Sequence, residues 1–234
     1  MRGTTGRWDA LRCDSTAVIL AAATSLFHLL TARGYGIFRD ELYYLACANH
    51  LDWGYVDHPP LVAVFAWIVS HVLGTSLFAL RLLPALAAGA LVILGAATAR
   101  QLGGGRFAQL LTGVAIALAP QYLALLSIYS MNAFDLVVWA ALVLVIVRIL
   151  KTRDGRLWLL FGALTGLGLQ NKVSVLFLCF GLAIGLLLAG QWRHVRDHRL
   201  WLGAGLAALL FAPHIIWQVA NDWPTVEFIR CVFR

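Results

Sequence analysis

Residues 77–99, LFALRLLPALAAGALVILGAATA, are one of the apolar stretches that decide the fold. The stretch is long enough to cross the hydrocarbon core of a bilayer as a helix, which takes about 20 residues. Every backbone N–H and C=O in lipid must find its partner within the protein, so such a run predicts a transmembrane α-helix. Similar runs recur along the whole chain, which predicts an all-α integral membrane protein.

Composition indicates the same class. Hydrophobic residues make up 61% of the 234 residues, charged residues make up 12%, and the mean hydropathy is +0.81, values far from those of a soluble domain. The apolar runs do not alternate as barrel strands do. The net charge of +7 comes from arginines in short gaps between these runs, which is typical of membrane topology signals and not of a nucleic acid partner. Four cysteines without CxxC spacing predict packing residues, with no disulfide framework or zinc site: Cys13, Cys47, Cys179 and Cys231.

We predict one transmembrane domain over residues 1–234 with about seven crossings. The predicted spans are 16–32, 77–99, 107–126, 133–150, 156–170, 173–190 and 199–218. The apolar piece from Leu61 to Leu73 has only about 13 residues, too few to cross. It predicts a short helix parallel to the membrane surface, within an outer loop of residues 34–76.

Charge asymmetry predicts the orientation. With a cytoplasmic N-terminus, most of the eighteen Lys and Arg residues lie on the inner side, as the positive-inside rule requires. These inner residues are Arg2, Arg7, Arg12, Arg100, Arg106, Arg148, Lys151, Arg153, Arg156, Arg193, Arg196 and Arg199. Most of the acidic residues then face outward, namely Asp40, Glu41, Asp52, Asp57, Asp135, Asp222 and Glu227. Polar chemistry is therefore expected on the outer side.

The densest polar segment is RDELYYLACANHLDWGYVDHPP, residues 39–60. Carboxylates above a bilayer, with a cation at its boundary, suit a reaction between a lipid phosphate and a polar acceptor. A carboxylate takes the acceptor's proton as general base, and a cation stabilises the charge on the departing phosphate. Lys172, His58 and Arg39 are the candidates for that cation.

Simpler interpretations stand beside these. Asp40 is placed to cap the helix that follows it, and Glu41 to favour the same helix dipole. Lys172 without a partner is a lysine that snorkels to phospholipid headgroups. Asp57 and His58 in DHPPL fit ordinary turn chemistry before a helix that starts after the paired prolines. Carboxylates also suit a divalent metal ion, but no ligand spacing demands one.

The segment RDELYYLACANHLDWGYVDHPPL resembles the first outer loop of bacterial glycosyltransferase family 39 proteins, of the GT-C membrane class. SIYSMNAFDLVVW, GLGLQNKVSVLF and PHIIWQVANDWPTVEFIR resemble further segments of that family, so the resemblance runs from about residue 16 to the end. The family includes protein O-mannosyltransferases and aminoarabinose transferases. It implies a GT-C-like bundle in the plasma (inner) membrane that moves a sugar from a polyprenyl phosphate donor to a protein, lipid or glycan acceptor outside.

The resemblance also implies roles for residues. The acidic pair of the family falls on Asp40 and Glu41 as catalytic residues, with Asp40 as the base. Among the substrate-binding candidates, Tyr44 matches the tyrosine after the pair, Lys172 matches the lysine that meets the carrier phosphate, and Asp135 matches an acid that faces the site. Asp57 and His58 complete that set. Aminoarabinose transferases have a lysine where this chain has His58, and a histidine that is neutral at pH 7 is a weaker phosphate ligand.

Two other functions remain alternatives. A multi-span transporter is expected to show repeated halves and charges near the bilayer midplane, whereas the charges here gather at the outer boundary. Family members usually continue beyond the length of this chain, so an inactive, truncated relative that acts as a membrane assembly partner is the other alternative.

Overall fold

The computed structural model describes residues 14–232, and within that range the protein is built from α-helices without any strand. In chain order the helices are α1 Ser15–Thr31, α2 Arg39–Asn49, α3 Leu61–Val72, α4 Leu77–Gln101, α5 Arg106–Leu118, α6 Pro120–Leu125, α7 Met131–Thr152, α8 Leu157–Leu169, α9 Val175–Leu188, α10 Trp192–Val195, α11 His198–Ala220 and α12 Pro224–Val232. Arg2, Arg7, Asp9, Arg12, Cys13 and Arg234 lie outside the described residues.

A helix occupies each of the seven predicted spans. In the described part of the chain, three helices are long and apolar enough to cross a membrane: α4, α7 and α11. The helices α1, α5, α8 and α9 are shorter apolar helices of 13 to 17 residues. The short helices expected in residues 34–76 are present as α2 and α3. The all-α membrane fold predicted from sequence is thus confirmed.

One predicted span differs in detail. Residues 107–126 were expected to form a continuous helix, but α5 ends at Leu118 and Ala119 is extended, with ψ of 121°. Pro120 then starts α6. Proline lacks the N–H that would continue α5 and disfavours helical geometry in the residue before it, so the chain breaks and restarts at this point.

The long helices pack in two connected groups. α4 packs against α1, α5 and α7, α8 packs against α11, and α7 joins the groups through its contact with α8. Glycines bring α8 and α11 unusually close, because a Cβ on Gly162 would collide with the backbone of Gly203. Small residues that allow such close approach are a main source of helix association in membranes, where apolar burial offers little.

The bundle has two chemically distinct ends. We call the acidic end the one formed by α2, α3, the N-terminus of α7 and the turn at residues 170–174. The basic end holds the other termini, with contacts between Arg106 and Asp14 at 3.4 Å and between Lys151 and the carbonyl of Gln101. The acidic pair of α2 and Asp135 of α7 thus lie at the end of the bundle opposite to Arg106 and Lys151.

Candidate active site at the acidic end

The acidic pair opens helix α2, and its two members lie in different surroundings. Phe38 is the N-cap residue, so Asp40 and Glu41 lie in the first turn, where negative charge is favoured by the helix dipole. Asp40 does not occupy the expected cap position, because Phe38 is the N-cap residue, and the Asp40 carboxylate accepts from Arg39 Nε. The Asp40 side chain is 37% exposed and pairs with Arg39 at 3.1 Å. Asp40 is thus the accessible carboxylate of the pair.

Glu41 is fully buried and bound on every side. Its Oε1 accepts hydrogen bonds from Arg81 Nε at 2.8 Å and from the Tyr129 N–H at 2.9 Å. Its Oε2 accepts from Arg81 Nη2 at 2.7 Å and from the Phe38 N–H at 2.8 Å. Burial raises the pKa of Glu41, but these hydrogen bonds outweigh it and hold the pKa below its usual range. Glu41 is therefore a structural anion in this arrangement.

Arg81 on α4 uses all of its N–H groups at this junction. Besides Glu41, its guanidinium donates to the carbonyls of Ala32, Tyr35 and Gly36 at 2.5, 2.9 and 2.8 Å. The side chain is 3% exposed. Sequence reasoning counted Arg81 only as an outer charge, although an arginine inside an apolar span is a signal for a specific partner.

Two adjacent tyrosines connect the acidic pair to the rest of the site. Tyr44, one helical turn after Asp40, is buried and packs in one cluster with Met131, at the start of α7, with its ring against that of Tyr129. Burial, with the charges of Asp57 and Asp40, raises the pKa of Tyr44 to about 12. Tyr43 donates a 2.6 Å hydrogen bond to Asp57, whose side chain is 32% exposed. Through Tyr43, the segment that carries Asp57 is thus tied to α2, the helix that carries Asp40.

His58 is buried among aromatic rings. Its Nδ1 donates to the carbonyl of Pro59 at 2.8 Å, and its ring lies against those of Tyr43, Tyr44 and Tyr55. Burial lowers the pKa of His58 below its ordinary value, so the ring is neutral at pH 7. The side chain is fully buried, and this position favours a structural role for His58 over contact with a phosphate.

Lys172 has a partner at the N-terminus of α7. Its Nζ donates to Asn132 Oδ1 at 2.7 Å, and the side chain is only partly exposed. Asp135, one turn along α7, accepts a hydrogen bond from Ser174, whose Oγ lies 2.9 and 2.8 Å from the two carboxylate oxygens. Asn171 fixes the same turn by donating to the carbonyl of Met131 at 2.8 Å. The simple snorkelling interpretation therefore does not describe Lys172.

The contacts join the predicted residues in two sets. Tyr44, Asp57 and His58 are linked at α2, and Lys172 and Asp135 are linked to the start of α7 and the turn at 170–174. Met131, at the start of α7, packs against the cluster that contains Tyr44. Sequence reasoning missed Arg81, Asn132, Ser174 and Tyr129. The last three lie within or beside the segments SIYSMNAFD and QNKVS that it singled out. Among residues 14–232, no group of three or more His, Cys, Asp and Glu side chains is arranged to hold a metal ion.

Residues 14–232 form an all-helical bundle with three helices long enough to cross a membrane and several shorter apolar helices, which fits the GT-C membrane fold. The dolichyl-phosphate-mannose-protein mannosyltransferase family model matches residues 57–217, more than half of the chain. The chain belongs to that family, which confirms the resemblance seen in its sequence.

One curated relative is similar over most of this chain. The lipid A galacturonosyltransferase RgtD of Rhizobium johnstonii is 29% identical over 197 residues, which cover 81% of this chain and 40% of the relative. The chain therefore spans about two fifths of the length of that relative. No solved structure matches the chain.

Proposed function

We propose that this protein is a membrane glycosyltransferase that moves a sugar from a polyprenyl phosphate donor to a protein, lipid or glycan acceptor. Membership of the mannosyltransferase family and similarity to a lipid A galacturonosyltransferase support this class of reaction. The basic end, with Arg100, Arg106, Lys151 and Arg153, supports a cytoplasmic position for that end. The N-terminus is then cytoplasmic, and the acidic end faces outward from the plasma (inner) membrane.

One observation carries the proposal. Tyr44 of α2 packs with Met131 at the start of α7, and Lys172 donates to Asn132, the next residue of α7. The Asp40 carboxylate is one helical turn from Tyr44, so a carboxylate and an ammonium group both belong to the acidic end. These are the two groups, a proton acceptor and a cation, that phosphate displacement from a sugar requires.

The reaction follows from these positions. The carboxylate of Asp40 takes the proton of the acceptor hydroxyl as its oxygen forms a bond to the anomeric carbon. The bond between that carbon and the carrier phosphate breaks, and the electron pair leaves with the phosphate. Lys172 offsets the charge that develops there, in surroundings where water is partly excluded. Attack opposite to the departing phosphate inverts the anomeric configuration. Glu41 holds the helix that presents Asp40.

The test is transfer of radiolabelled sugar from polyprenyl phosphate donors into membrane extracts of a strain that lacks the native gene. Asp40→Asn keeps the size of the side chain but removes the base, and we expect transfer to fall at least 100-fold. Asp52→Asn is the matched control, because Asp52 lies in the same segment and accepts only from the Trp53 N–H, which the amide oxygen also does. Transfer that is retained in Asp40→Asn, or absent from the unaltered protein, contradicts the proposal.

A further inference from the structure

The segment between α2 and α3 is attached to the far end of α11. His214 on α11 is buried, and its Nδ1 lies 3.1 Å from the carbonyl oxygen of Trp53, 161 residues earlier in the chain. A carbonyl oxygen only accepts, so Nδ1 carries the proton and donates. This contact ties α11 to the segment that carries Asp57.

A second hydrogen bond supports the same tautomer of His214. With its proton on Nδ1, Nε2 is an acceptor, and the amide nitrogen of Gln218 lies 3.4 Å from it. Gln218 is one helical turn further along α11 and donates also to Thr225 Oγ1 on α12 at 2.6 Å. Both ring nitrogens of His214 therefore form hydrogen bonds, and a chain of hydrogen bonds connects α12 through α11 to Trp53.

Only glycine at position 54 permits this contact. A Cβ on Gly54 would collide with the ring of Trp217 and would lie 2.8 Å from His214 Nδ1. The backbone of Gly54 therefore lies directly against the rings of His214 and Trp217 on α11. Such close approach is a use of glycine that no other residue provides.

The docked segment leads directly to Asp57. The Tyr55 N–H donates to the carbonyl of His58 at 3.0 Å, which closes a tight turn around Val56 and Asp57. The Tyr55 hydroxyl donates to carbonyls at the end of α2, of Cys47 at 3.0 Å and of His50 at 3.1 Å. The turn thus has two supports, α2 on one side and His214 on the other.

We propose that His214 is a positioning residue for the catalytic end of the molecule. By holding the carbonyl of Trp53 it fixes the 52–58 turn, and with it the carboxylate of Asp57 at the hydrogen bond from Tyr43. The effect on sugar transfer rests on the function proposed above, whereas the effect on the turn does not. Both are measured separately.

Two substitutions distinguish the contributions of the two ring nitrogens of His214. His214→Asn places an amide N–H where Nδ1 lies and keeps the bond to Trp53. His214→Gln places its amide where Nε2 lies, so it keeps the contact to Gln218 and loses the bond to Trp53. We measure backbone hydrogen exchange of residues 52–58 by mass spectrometry on the full chain in detergent, with Tyr55 as the reporting amide. Gly54→Ala is a third variant that displaces the turn by its Cβ.

We expect exchange in the turn to be about tenfold faster in His214→Gln and in Gly54→Ala, the effect of losing about one hydrogen bond, and unchanged in His214→Asn. The amides of Phe38 and Tyr129, held by Glu41, should stay protected in all three and show that the bundle is folded. Unchanged exchange in His214→Gln overturns the proposal, and so does equal loosening by His214→Asn.

Transfer kinetics give the second measurement. His214→Gln is expected to lower kcat about tenfold, because a displaced turn releases Asp57 from Tyr43 on α2, the helix that carries Asp40. The KM of the donor should change little, since the contact of Lys172 with Asn132 is intact. His214→Asn keeps the bond to Trp53 and should keep kcat. If the unaltered protein does not transfer sugar, the proposed function is contradicted. Hydrogen exchange alone then tests whether His214 holds the 52–58 turn. Faster exchange with full kcat restricts His214 to structure and overturns the positioning role.

Discussion

The carboxylate of Glu41 and the guanidinium of Arg81 form a buried ion pair in which both groups are saturated with hydrogen bonds. The two Glu41 oxygens accept four bonds, and the five N–H groups of Arg81 are all donated. The pair joins α2 to α4, the end of α1 and the residue before α7's N-cap. Asp40, the neighbour of Glu41, is left outside this arrangement and accessible, which makes it the one member of the acidic pair able to take a proton.

Removing Arg81 should destabilise the protein strongly. Arg81→Met leaves the Glu41 charge buried without its partner, which costs about 3–5 kcal/mol and lowers Tm by about 10 °C for a domain of this size. Adding Glu41→Gln in the double variant should recover part of the loss, since the unpaired charge is then gone. Tm is measured by thermal unfolding of the purified protein in detergent.

Arg39→Met is the control for Arg81→Met. Arg39 is 89% exposed and pairs with Asp40 on the surface, where ion pairs contribute little, so its loss should leave Tm unchanged. A Tm equal to that of the unaltered protein in Arg81→Met would show that the pair does not hold the acidic end together.

Lys172→Met should weaken binding of the donor. In the proposed reaction, the ammonium group of Lys172 binds the carrier phosphate. A charge-assisted hydrogen bond to phosphate contributes about 1.5–3 kcal/mol. Without it, the Kd for polyprenyl phosphate should rise about 10-fold to 100-fold. Equilibrium binding of a labelled polyprenyl phosphate measures it. Lys151→Met removes the same charge from the basic end and should leave Kd unaltered. Equal affinity in Lys172→Met would return this residue to a structural role.

Gly162→Ala should destabilise the bundle although alanine favours helices over glycine by up to about 1 kcal/mol. The new Cβ meets the backbone of Gly203, which has no side chain to move aside, and overpacking of this kind costs about 1–3 kcal/mol. Gly181→Ala on α9 is the matched substitution, because no atom lies within 4 Å of its Cβ. Tm should fall in the first variant and hold or rise in the second. The same Tm for both would mean that α8 and α11 are not in close contact.

Stability should decline as the pH falls below about 6.5. Burial lowers the pKa of His58 in the folded protein, so between the folded and unfolded pKa values the unfolded chain binds more protons, and acid favours unfolding. Glu41 adds a second decline below about pH 4.5, because its folded pKa is also lowered. Tm measured from pH 8 down to about pH 3 should show both steps.

His58→Asn isolates the histidine contribution. The amide N–H of asparagine takes the place of Nδ1 toward the carbonyl of Pro59 and does not titrate, so the difference in Tm between this variant and the unaltered protein should vary between pH 7 and pH 5. A constant difference across that range would show that His58 is protonated equally in both states.

Hydropathy predicted where the helices lie, but not how each one ends. The runs from 77 to 99 and from 133 to 150 became α4 and α7 within a few residues, since the length of an apolar run is a local property. The sequence analysis missed the break at Ala119, although Pro120 marks it. Residues on both sides of the break are apolar, so hydropathy alone shows one continuous run. The candidate site residues have two origins: Asp40 and Lys172 stand out locally as charges beside apolar runs, whereas Tyr44 was chosen from the family resemblance.

The sequence by itself determined that this is a helical membrane protein with a dense polar segment at residues 39–60, because a bilayer selects for uninterrupted apolar runs and any polar cluster between them is visible locally. Only the tertiary structure decided which of two adjacent acids is accessible. Arg81 lies 40 residues from Glu41, and Asn132 lies 40 residues from Lys172. A hydrogen bond depends on the distance between side chains in space, and for partners so far apart in the chain that distance is set by how the helices pack.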